Sequence, residues 1–256
     1  MSSSFFSSFT SSAPQQTPSW ASFKAPLAPT VRAHVTNVYL NLARMLALSA
    51  AAAYADWAGW LSLGGGWTAL ACLGCLLVFS FTAPIPQNHN LRQGLLYGFA
   101  VMKGFALGPL IASAMYFNPF IVPKALFGTA LIFGCFSLAV LTAPESSRRD
   151  IIYTRSLLAA ATGLLLTMSL VNIFVASAAA FNVELYLGLM IFAAYVVYDT
   201  QLMIARAEAG SRDYLAHSLE LYMDLVGIFV RLVIILQKRQ RESEERQRRK
   251  GNERRR

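Results

Sequence analysis

Charge is what this chain of 256 residues has least of: 14% of positions are Asp, Glu, Lys or Arg, against 55% hydrophobic. A soluble domain usually carries about 25% charged residues, so the shortage argues against an ordinary water-soluble globule. Acidic residues are the scarcer sign, 13 against 22 basic ones, for a formal charge of +9. Ten of the basic residues follow Leu236. The excess is therefore a property of the tail, and no nucleic-acid-binding surface is read from it. Basic residues just outside an apolar span face anionic headgroups or set topology. Cysteine is also rare. Cys72-Leu-Gly-Cys75 has CxxC spacing, but no second pair or histidine cluster completes a zinc site, and Cys72, Cys75 and Cys135 read as free thiols packed in helices. No basic residue precedes Lys24. That removes the charged start of a secretory signal and the arginines of a transit peptide, leaving residues 1–30, rich in Ser, Thr and Pro, as a disordered tail.

What the chain has in quantity is apolar runs of membrane-crossing length. Seven are counted: Tyr39 to Leu61, Trp67 to Thr82, Leu95 to Phe117, Ala125 to Leu141, Arg155 to Ala178, Glu184 to Ala205 and His217 to Leu236. Each is near the roughly 20 residues that a helix needs to cross a bilayer. The connectors carry helix breakers: Gly64-Gly65-Gly66, Pro84-Ile-Pro86, Asn118-Pro119 with Pro123, and Ala143-Pro144. Most connectors are short, so neighbouring helices are expected to pack antiparallel. The expected fold is an all-α integral membrane protein: about seven transmembrane helices in one bundle over residues 31–237, a disordered N-terminal tail over 1–30 and a disordered basic tail over 238–256. Small residues such as Gly104, Gly108, Gly128 and Gly134 permit close helix approach. With a cytosolic N-terminus, Arg92, Arg148, Arg149, Arg206 and Arg212 fall on the cytosolic side and the opposite loops carry only Lys124. Seven full crossings then send the basic tail to the far side. Either the tail tolerates that, or the last segment, with His217, Glu220, Asp224 and Arg231, does not cross fully.

The exceptions to the apolar rule are the informative residues. Asp199 and Asp224 lie inside the last two runs, on either side of a polar break from Arg206 to Asp213 with Gly210 as helix stop. An antiparallel hairpin about that break brings both carboxyls to one depth. An ionisable residue inside a span is a functional-site hypothesis by default. Glu220, Asp224, Gly227 and Arg231 follow i, i+4, i+7, i+11 spacing, with His217 seven residues before Asp224; this polar stripe should turn inward. Tyr195 and Asp199 share a face of the preceding helix, whereas Tyr198 points elsewhere. Two close carboxyls in a low-dielectric site titrate as a pair. Such a pair shares a proton when closed and attracts a cation when both members are ionised; for calcium, two carboxylates make a transient site, since that ion prefers more oxygen ligands. The competing structural reading has Asp199 capping locally near the interface and Arg231 neutralising Asp224. Lys103 is central in its segment and needs a partner, whereas Arg44 and Asp56 lie near segment ends and can snorkel. His34 and His89 lie outside the runs and read as solvated.

At Asp199 a family becomes recognisable. Tyr198-Asp-Thr-Gln201, Ala205-Arg-Ala-Glu-Ala-Gly210 and Arg212-Asp-Tyr-Leu-Ala-His217 resemble the Bax inhibitor-1 family. So do Val31-Arg-Ala-His-Val-Thr-Asn-Val-Tyr39, Gly108-Pro109, Asn118-Pro119, Phe127 to Phe136 and Glu184-Leu-Tyr-Leu-Gly188. The likeness runs in order over roughly residues 30 to 240. It implies a seven-helix bundle in the endoplasmic reticulum membrane, suppression of stress-induced cell death, a pH-sensitive calcium leak, and Asp199 and Asp224 as the pH-sensing pair. It also implies, from bacterial relatives, an arginine latch at the end of the second helix. Here Phe79-Ser-Phe-Thr-Ala-Pro84 holds no arginine and the next one is Arg92; Lys103 and Arg231 are the candidate replacements.

The expected function is thus a non-enzymatic membrane protein whose aspartate pair gates calcium, with protons and calcium as its small partners and no tightly bound cofactor. His217, Glu220, Lys103 and Arg231 are its candidate charge partners. An alternative is a non-conducting protein that restrains cell-death or stress-signalling partners through its basic tail. A remote alternative, an intramembrane aspartyl protease, matches at Tyr198-Asp199 but lacks the Gly-x-Gly-Asp motif at Asp224 and any Pro-Ala-Leu turn.

Overall fold

Helix is the only regular structure in the described residues of the computed structural model, which are 28–61, 65–142 and 151–253. Seven helices follow one another: α1 (Pro29–Trp57), α2 (Gly66–Phe81), α3 (His89–Phe117), α4 (Ile121–Leu141), α5 (Ile151–Val175), α6 (Ala178–Glu208) and α7 (Tyr214–Glu253). Local chemistry sets their ends. Pro29 opens α1 at a position that needs no N–H donor. Gly59 closes that helix in the left-handed region at φ 73°, with Trp60 N–H reaching back to the Ala55 carbonyl. Gly210 does the same for α6 at φ 89°, as its place in the polar break predicts. Ser177 caps the start of α6 by accepting from Ala180 N–H at 3.3 Å.

The bundle is built around α7. Its first part packs against α1, α3, α4 and α6, while α2 leans mainly on α3 and α5 on α6. Leu215, Leu221, Tyr222, Ile228 and Val233 of α7 are all buried. The outer helices instead expose large apolar side chains, among them Leu70 and Phe81 on α2, Phe127 on α4 and Leu164 and Phe174 on α5. An apolar exterior around a core that admits polar groups is the arrangement expected of a bundle bathed in lipid. Five helices, α1, α3, α4, α5 and α6, are long and apolar enough to cross a membrane. α2 is apolar but has 16 residues, about 24 Å of helix against a hydrocarbon core of about 30 Å.

Close approach between helices is visible at two glycines. A Cβ on Gly104 of α3 would overlap the Ser49 backbone of α1, and one on Gly108 would overlap the Asp56 side chain. Ser49 uses that proximity: its Oγ donates to the Ala100 carbonyl at 2.7 Å and lies 2.5 Å from Tyr222 Oη on α7. One hydroxyl therefore joins three helices.

Two expectations differ, and one left open is informed. The tail from 238 is not disordered as far as Glu253, because α7 continues through it as one helix. Lys238–Glu242 and Gln240–Glu244 pairs at i, i+4 spacing support the extension, and glycine enters only at Gly251. α7 also runs the length of the bundle: Gln237 reaches Ser113 near the end of α3, and Lys238 donates to Asn182 near the start of α6. The first helix starts at Pro29, not Tyr39, and takes in His34. Residues 1–27, Arg148, Arg149, Gly64 and the Ala143-Pro144 break lie outside the described residues.

Candidate functional site

The α6–α7 hairpin aligns the polar stripe of α7 with α6 step by step. Glu220 meets Arg206 at 3.6 Å, and Asp224 meets Asp199. Further along, Gly227 receives the Phe192 ring, and Arg231 lies across Gly188. The stripe therefore faces the neighbouring helix, as polar residues on a membrane helix should.

Asp199 and Asp224 are brought together with their carboxyl groups in hydrogen-bonding reach. They are 8% and 4% exposed. Asp224 Oδ2 has no donor among the described residues. A proton held between the carboxyls supplies one, whereas two ionised carboxylates in this setting leave a buried acceptor unmatched and repel each other. Chemically, the pair can hold a proton between its members or, on losing it, present two negative oxygens to a cation. No group of three or more His, Cys, Asp or Glu suited to holding a metal occurs among the described residues.

Above the pair, toward the α6–α7 break, lies a second tier of titratable groups. Glu220 is within electrostatic reach of Asp199 and Asp224, and His217 within reach of Asp199. His217 Nδ1 lies 3.1 Å from Glu220 Oε2, and the His217 ring is buried. Its edge meets His34 of α1 with ring centroids 5.6 Å apart. His34 is thus half-buried in the bundle instead of solvated, and the lengthening of α1 is what places it there. His89 likewise is engaged, 3.1 Å from Tyr214 Oη.

The other two candidate partners sit elsewhere. Arg231 lies over the Phe192 ring at 4.3 Å, donates to the Gly227 carbonyl at 3.3 Å and interacts with Glu184. Lys103 of α3 is half-buried within electrostatic reach of Cys72. Neither forms an ion pair with the aspartates among the described residues. Tyr195 turns to α5, where its Oη lies 2.9 Å from Thr162 Oγ1. Sequence reasoning missed two polar contacts, Arg92 with Asp213 at 2.9 Å and the Ser49–Tyr222 link. Each joins residues more than 100 positions apart, so no spacing rule reveals them.

Helical architecture, an apolar exterior and buried polar groups together define a multi-pass membrane bundle. Residues 31–241 match the family model described as inhibitor of apoptosis-promoting Bax1, and the chain belongs to that family. It is similar to Bax inhibitor 1 of Oryza sativa subsp. japonica, 38% identical over 225 residues, covering 88% of each chain. Bax inhibitor 1 of Arabidopsis thaliana is 38% identical over 245 residues, 94% of this chain and 95% of the relative. Human Bax inhibitor 1 is 36% identical over 213 residues, 82% and 87% of the two chains.

Proposed function

We propose that this chain is a non-enzymatic endoplasmic reticulum membrane protein that restrains stress-induced programmed cell death through a pH-sensitive calcium leak gated by Asp199 and Asp224. The observation that carries the reading is the juxtaposition of two buried carboxyls on facing helices, with an Asp224 oxygen that finds no other donor among the described residues. While the pair holds a shared proton, α6 and α7 are tied and no net charge draws a cation inward. When the proton leaves, mutual repulsion loosens the hairpin and two carboxylates face the pathway. Glu220 and His217 line the approach from the α6–α7 break. Family membership supports the cell-death role, and the names of the relatives agree with it.

The test is calcium flux from liposomes loaded with the full chain, followed across pH. Wild type is expected to change flux across the titration of the pair. Asp199→Asn and Asp224→Asn are each expected to flatten that dependence; retention of the wild-type profile by both variants excludes the gate.

A second reading, docking of cell-death or stress-signalling proteins, draws on the helical extension of α7. Lys238 and Arg241 still touch the bundle, at Asn182 and over the Phe117 ring, and beyond them α7 continues to Glu253 with most of its charged side chains exposed. Truncation after Gln237 separates the two: lost cell protection with intact flux favours docking.

A further inference from the structure

At the end of the bundle that carries the α6–α7 break lies a cleft that the proposed gate does not use. Its volume is about 580 Å³, within the range of small-molecule sites. One wall is the Pro84–Pro86 connector with the first turn of α3, and the other is the break itself, from Ser211 to Tyr214. The cleft joins helix ends, not apolar mid-helix surfaces, so it belongs to the interfacial part of the molecule.

Arg92 dominates this cleft and is 6% exposed. Its Nη2 donates to Asp213 Oδ2 at 2.9 Å, and its guanidinium lies over the Phe79 ring at 4.4 Å. Its Nε is buried and has no hydrogen-bond partner among the described residues. A guanidinium offers five N–H donors in a fixed fork, and buried donors are normally matched. An arginine that lines a cavity with only one nitrogen matched by a carboxylate keeps donor capacity and positive charge that favour an anion there. Arg212, exposed on the opposite wall, adds a second guanidinium. Two arginines against Asp213 leave the cleft positive, and guanidinium geometry matches the oxygens of a phosphate.

Asp213 narrows the ligand further. A carboxylate in the wall disfavours an anion that is negative on every side, but it accepts from a hydroxyl. Asn90 and Ser211 offer further hydroxyl partners. We propose that this cleft binds a phosphorylated polyol, its phosphate between Arg92 and Arg212 and a hydroxyl on Asp213. The same chemistry occurs in a lipid headgroup and in a free sugar or inositol phosphate.

The experiment uses the full chain in phosphatidylcholine nanodiscs. One arm titrates myo-inositol 1-phosphate and, separately, inorganic phosphate by calorimetry. The other measures saturable association of a fluorescent phosphatidylinositol. Arg212→Ala leaves the Arg92–Asp213 pair in place and is expected to weaken binding about tenfold, the scale of one lost charge-assisted hydrogen bond. Asp213→Asn removes the competing charge while keeping an acceptor, and is expected to bind the phosphate more tightly. Binding in the lipid arm alone assigns the source to the membrane, and in the soluble arm alone to the aqueous phase; either supports the site. Absence of saturable binding in both arms overturns it. So does binding that Arg212→Ala leaves unchanged, which belongs to the basic tail. Inorganic phosphate binding as tightly as the polyol phosphate overturns the polyol assignment, and a folded Asp213→Asn protein with unchanged or weaker binding overturns the arrangement.

Discussion

α5 and α7 are inversions of one another. α5 is among the helices apolar enough to cross a membrane, yet it lies at the edge of the bundle with Phe174 89% exposed. α7 is outside that set and carries His217, Glu220, Asp224 and Arg231, yet it is the central helix, with Tyr222 wholly buried. In water the order would be reversed. In lipid an apolar surface is already solvated, and it is the polar group that must find protein around it. The difference explains why the site forms between α6 and α7 and not on α5: a helix with protein on several sides can carry acidic residues and an arginine and find partners for them, whereas a helix at the edge meets mostly lipid.

That contrast can be broken in graded steps. The largest effect is expected from Gly104→Leu, because its Cβ meets Ser49 backbone and not a movable side chain. Overpacking there should cost about 3 kcal/mol or more and separate α1 from α3, seen as loss of monodisperse protein on size exclusion in detergent. Leu164→Asp places a carboxylate on the exposed face of α5 and should cost about 3 kcal/mol of insertion free energy. A glycosylation-reporter insertion assay on α5 reads this directly. By comparison Asp224→Leu should insert as well as wild type or better, and equal losses for the two substitutions would erase the distinction between the helices. Ser49→Ala removes the hydroxyl that joins α1, α3 and α7; about 0.6 kcal/mol is expected, the average for a hydrogen bond between membrane helices, measured as a small fall in thermal midpoint. Smallest of all should be Glu242→Gln on the solvated extension of α7, within about 0.5 kcal/mol, because exposed i, i+4 pairs contribute little.

The sequence shows the outer helices well and the inner one in part. Runs such as Ala125 to Leu141 match α4 closely because lipid imposes a length and a composition that a sequence reveals. The α6–α7 hairpin was equally legible: Gly210 marked its turn, and 3.6-residue periodicity placed Asp224 and Glu220 on one face. What stayed hidden was which helix is central, since charge in a span argues both for burial and against crossing. The partners of His34 and Arg92 were hidden for another reason. Both lie near helix starts where composition turns polar, and only tertiary packing shows that one meets His217 and the other Asp213. The tail misled because its charge density resembles a disordered segment, while its Lys238–Glu242 and Gln240–Glu244 spacing suits a helix.

The pairing of Asp199 with Asp224 is the central claim, and a double-mutant cycle on the pH midpoint of calcium flux tests it most directly. If the carboxyls share one titration, Asp199→Asn and Asp224→Asn each shift or abolish the midpoint, and the double variant adds almost nothing to either. Independent, additive shifts in the double variant would contradict the account.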